Sequence, residues 1–172
     1  MDKPLINKVA QSSLKTINLE AFYPQAEMVD FDLKDYLFHG LILKEKDFRT
    51  ALKEHDWTKY EDKILLVYCS TDAIIPVWAY MLVSAYAEPY ASVIFQGTQG
   101  EYLKTYYQQY LSDLDLSIYA DERVVIKGCS DRPVPPAAYA QLTTLLRPLA
   151  KSIMYGEPCS TVPIYKKPRV KS

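Results

Sequence analysis

Each of the three cysteines in the chain is followed by serine, giving Cys69-Ser70, Cys129-Ser130 and Cys159-Ser160. Thiolates ligate zinc and iron and attack electrophiles, and hydroxyls beside them hydrogen-bond to a bound group. Two of these sites stand at matching points of a candidate internal repeat over residues 64–91 and 123–150. The first copy reads Ile64-Leu65-Leu66-Val67-Tyr68-Cys69-Ser70, then Asp72, Pro76, Ala79-Tyr80, Pro89 and Ala91. The second reads Val124-Val125-Ile126-Lys127-Gly128-Cys129-Ser130, then Asp131, Pro135, Ala138-Tyr139, Pro148 and Ala150. From Asp72 and Asp131 onward the spacing is constant at 59 residues, with Thr71 the one extra residue.

Ligands in open α/β sheets bind beyond the carboxyl ends of the strands, where this reading places Cys69 and Cys129. A helix N-terminus directly after each thiol favours the thiolate; the plain alternative is that both cysteines pack as small apolar residues. Cys159 lies in a loop bounded by Gly156, Pro158 and Pro163. Convergence of Cys69, Cys129 and Cys159, with His39, Asp72 or Asp131 as a fourth ligand, would hold zinc, iron or an iron-sulfur cluster. Ser70, Asp72, Ser130, Asp131 and Ser160 would then surround the cofactor. No Cys-x-x-Cys pair is present, and Asp72 and Asp131 have a second reading as helix N-caps.

Other chemistries have fewer residues to draw on. A thiol nucleophile needs a base, and His39 and His55 are the two histidines. A cysteine phosphatase needs an arginine six residues beyond the nucleophile, where this chain has Ile75, Pro135 and Tyr165. Gly97-Thr98-Gln99-Gly100 lacks the lysine and hydroxyl of a P-loop and reads as a turn. Fifteen tyrosines, four of them between Tyr102 and Tyr110, fit either packing on a sheet or a dimer face.

The elements that must position these groups follow from periodicity. Strands are predicted over 28–33, 37–43, 64–68, 92–95 and 123–128, and helices over 45–54, after Pro76, over a face of Leu103, Tyr107, Tyr110 and Leu114, and from about 135. Leu142, Leu145, Leu146 and Leu149 form the apolar side of the last. The fold class expected is α/β: a mainly parallel sheet with helices on both faces, built around a duplicated strand-Cys-helix unit, with an N-terminal antiparallel edge. The segment 164–172 reads as a basic tail.

Composition narrows the partners. Twenty basic residues against twenty-one acidic ones give a net charge of −1, which supplies no broad field for nucleic acid or an anionic membrane. With 49% apolar residues in 172, a single domain over 1–172 is expected. No apolar run at the N-terminus reads as a secretory signal, and Ile74 to Ala87 reads as a buried helix, shorter than the roughly 20 residues a membrane span needs. An odd cysteine count then points to reduced thiols in the cytoplasm.

Lys127-Gly128-Cys129-Ser130-Asp131 with Pro133-Val134-Pro135, and the stretch from Ser152 to Pro163, resemble a bacterial family of uncharacterised function, domain-of-unknown-function family 2480. Leu41 to Arg49 and His55-Asp56-Trp57 are similar too, so the resemblance covers nearly the whole length. It implies no catalytic assignment; an association with iron-sulfur assembly genes makes assembly proteins expected partners. The function expected first is a cytoplasmic cysteine-bearing metal or iron-sulfur accessory protein. The alternatives are a non-catalytic homodimeric interaction module and a thiol-dependent enzyme acting on a small molecule.

Overall fold

A computed structural model describes residues 13–128, 131–157 and 159–168. Among them the α-helices and strands run β1 (Leu14–Ile17), β2 (Met28–Asp32), α1 (Glu45–Glu54), β3 (Ile64–Tyr68), α2 (Val77–Ala87), β4 (Val93–Gln96), α3 (Gln99–Ser112), β5 (Arg123–Ile126), α4 (Pro136–Leu146), β6 (Ser152–Glu157) and β7 (Ser160–Lys166). The chain divides into two compact units. Pro24–Tyr102 form an inner unit, and Met1–Tyr23 with Leu103–Ser172 form an outer one. The inner unit is thus inserted in the chain of the outer, and α3 begins in one and continues in the other.

The inner unit is a parallel sheet of order β2-β3-β4. Ile64 to Val67 are buried throughout, which is why the central strand is a continuous apolar run. Strand order follows chain order, so right-handed crossovers bring both connecting helices to one face. One core cluster shows this: Phe48 and Leu52 of α1 and Ala79, Val83 and Ala87 of α2 pack with Phe31, Leu65 and Val67 of the strands. The Trp57 indole N–H donates to the Leu52 carbonyl (2.9 Å), closing the cluster after α1.

The outer unit has order β1-β5-β6-β7, with three parallel strands and β7 antiparallel at the edge. Leu142 and Leu146 of α4, Leu103, Tyr107 and Leu111 of α3, and Val124, Ile126 and Ile153 of the strands are buried. The Tyr107 hydroxyl donates to the Leu19 carbonyl (2.8 Å) and Tyr106 to that of Phe22 (2.9 Å). These bonds tie the stretch before the insertion to the stretch after it.

Several expectations are corrected. Among the described residues there are two sheets rather than one, and the antiparallel edge is the C-terminal β7, not an N-terminal hairpin. β2 pairs parallel with β3, and the predicted strand 37–43 is a turn with a single bridge, Phe38 to Ile42. His39 (φ 51°) and Gly40 (φ 70°) adopt left-handed conformations that break the strand there. The helices of the inner unit share one face. On α3 Leu111 is buried with Leu103 and Tyr107, in place of the expected Tyr110 and Leu114; the helix ends at Ser112, and Tyr110 stacks on Phe22 with ring centroids 5.0 Å apart. The residues expected as a basic tail include the second half of β7.

Candidate functional site

The carboxyl end of the inner sheet is where the sequence placed its chemistry. Asp32, in register with Tyr68, closes β2; its carboxylate accepts from the backbone N–H of Ser70 (3.0 Å) and of Lys34 (3.0 Å), with the Lys34 ammonium at 3.4 Å. Burial pushes the Asp32 carboxyl up, but the hydrogen bonds from Ser70 and Lys34 outweigh it and hold the group below the usual range. Cys69 is half-buried, with Sγ 3.3 Å from the Thr71 hydroxyl. Ser70 therefore anchors the loop to β2, and Cys69 stands at its mouth.

Asp72 does not cap α2, and Asp131 does not cap α4. The residues at those positions are Pro76 and Pro135, both extended and without a side-chain cap bond. A residue before proline avoids the helical region, so Ile75 and Val134 cannot start the helix earlier. Cys69 accordingly lies eight residues ahead of Val77 and not on the first turn of α2. Cys159 is exposed in the turn between β6 and β7, and Ser160 opens β7, also exposed. His39 is exposed, its ring 4.0 Å from that of Phe38. Cys129 and Ser130 lie outside the described residues. Among the described residues no three histidine, cysteine, aspartate or glutamate side chains gather as a metal-binding group. At the start of α3, the Thr98 N–H (2.7 Å) and hydroxyl (2.9 Å) both donate to Glu101, so a carboxylate fills that helix terminus.

His55 is held between two tyrosines, Nδ1 3.3 Å from the Tyr36 hydroxyl and Nε2 3.0 Å from that of Tyr60, against the ring of Phe31. Burial, and then the Lys59 charge, depress the imidazole below its ordinary range against the opposing pull of Asp56. Burial likewise pushes the Tyr60 phenol up to about 12. The fold thus favours neutral His55. As pH falls from above the unfolded value of about 6.5 toward the lowered folded value, the unfolded chain takes up the proton first and stability is lost. The melting temperature should fall between about pH 7.5 and 5.5, and His55→Asn should flatten that slope. An unchanged slope in the variant would remove His55 from the account.

The feature that sequence reasoning missed is on α2. Its eleven residues carry no charge, yet only Ala79, Val83 and Ala87 are buried. On the opposite side Val77 is 74% exposed and Met81 66%, with Ala85 completing the stripe and Ile74, just upstream, 93% exposed. The expected buried helix is therefore buried on one face alone. Phe38, Leu41 and Ile42 are 44%, 68% and 60% exposed on the turn between β2 and α1. Phe48 links the two regions: it lines a concavity of about 300 Å³ with Phe38 and Lys44, and its ring lies 6.3 Å from that of Trp78. The signal in the sequence was the missing charge, since a helix covering one sheet face needs only one apolar side.

Among the described residues no helix is long and apolar enough to cross a membrane. No curated protein and no solved structure matches the chain. A family model described as Protein of unknown function matches residues 3–167, nearly the whole length, and the chain belongs to that family, DUF2480.

Proposed function

We propose that the protein is a non-catalytic interaction module that pairs with a second copy of itself through the outer face of α2. The observation that carries this is a contrast between the two units, which we take as copies of one strand-helix-strand-helix-strand module. Matching features recur 59 residues apart. Asp62 and Asp121 are left-handed (φ 58° and 56°), and Gly97 and Gly156 have φ of 143° and 123°. At Gly156 an added Cβ would lie 2.6 Å from the Ser160 carbonyl oxygen, and at Gly97 one would lie 2.7 Å from the Phe95 ring, so neither tolerates a side chain.

Hydrogen bonds recur likewise. Asp62 N–H donates to Tyr90 and Asp121 N–H to Leu149; the Ser84 hydroxyl donates to the Tyr80 carbonyl and that of Thr143 to Tyr139. Ala79, Val83 and Ala87 answer to Ala138, Leu142 and Leu146, all buried. The outer faces diverge. Where α2 has Val77, Met81 and Ala85, α4 has Pro136, Ala140 and Thr144. The module folds without large apolar residues there, so their exposure on α2 serves something other than the fold.

A second copy fits this face better than a charged partner, because the helix has no charge to complement. An uncharged stripe is self-complementary across a two-fold axis. Ile74, Val77 and Met81 present roughly 450 Å² at their observed exposures, and with Phe38, Leu41 and Ile42 of the turn joined in the contact the total would approach the roughly 800 Å² each partner gives to a standard interface. Sedimentation velocity over increasing concentration should show twice the 19.8 kDa chain mass; a monomer throughout would refute the proposal.

The second reading keeps the thiols. Cys69 and Cys159 are free, one half-buried and one exposed, and Cys129 completes the set on which a zinc, iron or iron-sulfur role in support of cluster assembly rests. Taking the units as copies, the 59-residue spacing makes Gly128, not Cys129, the counterpart of Cys69, which weakens this reading. Metal content after anaerobic purification decides this reading: near-stoichiometric metal that is lost in Cys159→Ala supports it, and metal-free protein ends it. A thiol enzyme has less support, because both ring nitrogens of His55 are engaged by tyrosines.

A further inference from the structure

We propose that the basic end of the outer sheet binds a phosphate-bearing small molecule. The site is built on a register row. Arg123 of β5 is paired with Ser152 of β6, and Ser152 with Lys166 of β7. Neighbouring strands lie about 4.8 Å apart, so the Arg123 and Lys166 backbones stand about 10 Å apart with the serine between them. That separation lets an arginine fork and a lysine ammonium meet over one anion. One position along, the Lys167 N–H donates to the Lys151 carbonyl (2.9 Å), which fixes two further lysines beside the row.

These residues line a concavity of about 460 Å³, within the roughly 300–1,000 Å³ usual for small-molecule sites. Met154 and Pro163 supply an apolar wall for the organic part of a ligand.

Charge balance points to the ligand. Of the four cations, Lys167 has a carboxylate, Asp121, at 2.9 Å. The hydrogen bond and charge of Lys167, and then the charge of Lys151, hold the Asp121 carboxyl low, so two of the lysines act on one point. Among the described residues Arg123, Lys151 and Lys166 form no ion pair. A chain of net charge −1 has no general excess of basic residues to explain three unpaired cations in one concavity. An anion carrying two or more charges would be drawn to them. A phosphate group, with its several acceptor oxygens, matches the three cations and the Ser152 hydroxyl.

Inorganic pyrophosphate is the probe, added to the full-length protein at constant ionic strength and followed by thermal shift and titration calorimetry. The wild type should bind it, with a rise in melting temperature that sodium chloride does not reproduce. In Lys151→Gln/Lys166→Gln the affinity should fall at least about tenfold, while the melting temperature without anion stays level or rises. Arg123→Gln should behave in the same way, and Lys46→Gln on α1 should bind as the wild type does. The proposal is overturned by no binding up to about 10 mM, by a shift that chloride reproduces, or by equal binding in the charge-depleted variants.

Discussion

A chain carrying Val77→Asp and Met81→Asp is expected to stay monomeric at concentrations where the proposed wild-type dimer forms, its dissociation constant raised at least about 100-fold, or about 2.8 kcal/mol. Each aspartate would place a carboxylate in the apolar contact between two copies, where it must either remain charged and desolvated or take up a proton. The two-fold axis doubles the effect, because every substitution appears on both sides of the interface. The monomer itself should be little affected. Both side chains are mostly exposed, so the substitutions cost only the lower helix propensity of aspartate, about 0.5 kcal/mol each, offset at residue 77 by its place in the first turn. Ala140→Asp, at the matching position of α4, should leave the dimer intact. Sedimentation with a parallel melting curve reads both effects, and a variant that still dimerises, or that unfolds, contradicts the assignment of this face.

The second large effect is on stability. Tyr107→Ala should cost about 3–5 kcal/mol, because a fully buried ring is removed from the core of the outer unit. Tyr107→Phe isolates the hydroxyl. It deletes the 2.8 Å bond to the Leu19 carbonyl and should cost about 1–2 kcal/mol, a fall of roughly 3–6 °C for a chain of this length. Burial, with the neighbouring Tyr106, also pushes this phenol up, so it stays a neutral donor through the physiological range. The bond matters because it joins residues on either side of the insertion. If Tyr107→Phe melts with the wild type and Tyr107→Ala loses less than about 2 kcal/mol, the junction has another source of stability.

Much of the architecture was legible because local signals agreed with the tertiary outcome. α1 occupies the predicted 45–54, where Phe48 and Leu52 set the apolar stripe, and β3 occupies the predicted 64–68. α4 starts next to its paired prolines and stops before Pro148. Strand order was not legible. Nothing in Leu14–Ile17 or Met28–Asp32 says which strand each will join, since pairing partners are chosen by packing across long separations. The 37–43 segment failed for a local reason, the left-handed His39-Gly40 pair, which alternating hydrophobicity conceals.

The candidate site divides in the same way. The Cys-Ser pattern drew attention to the loop after β3, and the structure puts Cys69, Ser70 and Thr71 there, but with Ser70 committed to Asp32. The prolines that start α2 and α4 so sharply also withdraw Asp72 and Asp131 from their capping roles, an effect of Ile75 and Val134 preceding proline. The α2 face was hidden by its own composition: apolar residues on all sides read as burial on all sides. The Arg123-Ser152-Lys166 row could not be read from sequence, because it depends on the register of three strands drawn from distant segments.

The most direct measurement is the methyl NMR spectrum of methionine-labelled protein as a function of concentration. The chain has four methionines, Met1, Met28, Met81 and Met154, so the spectrum is simple, and Met81 is the one on the proposed interface. Dimerisation through α2 predicts that on dilution the Met81 signal shifts or exchanges while those of Met28 and Met154 stay in place. A Met81 signal unchanged across the range, or movement at Met154 instead, would place the contact elsewhere and contradict the α2 assignment.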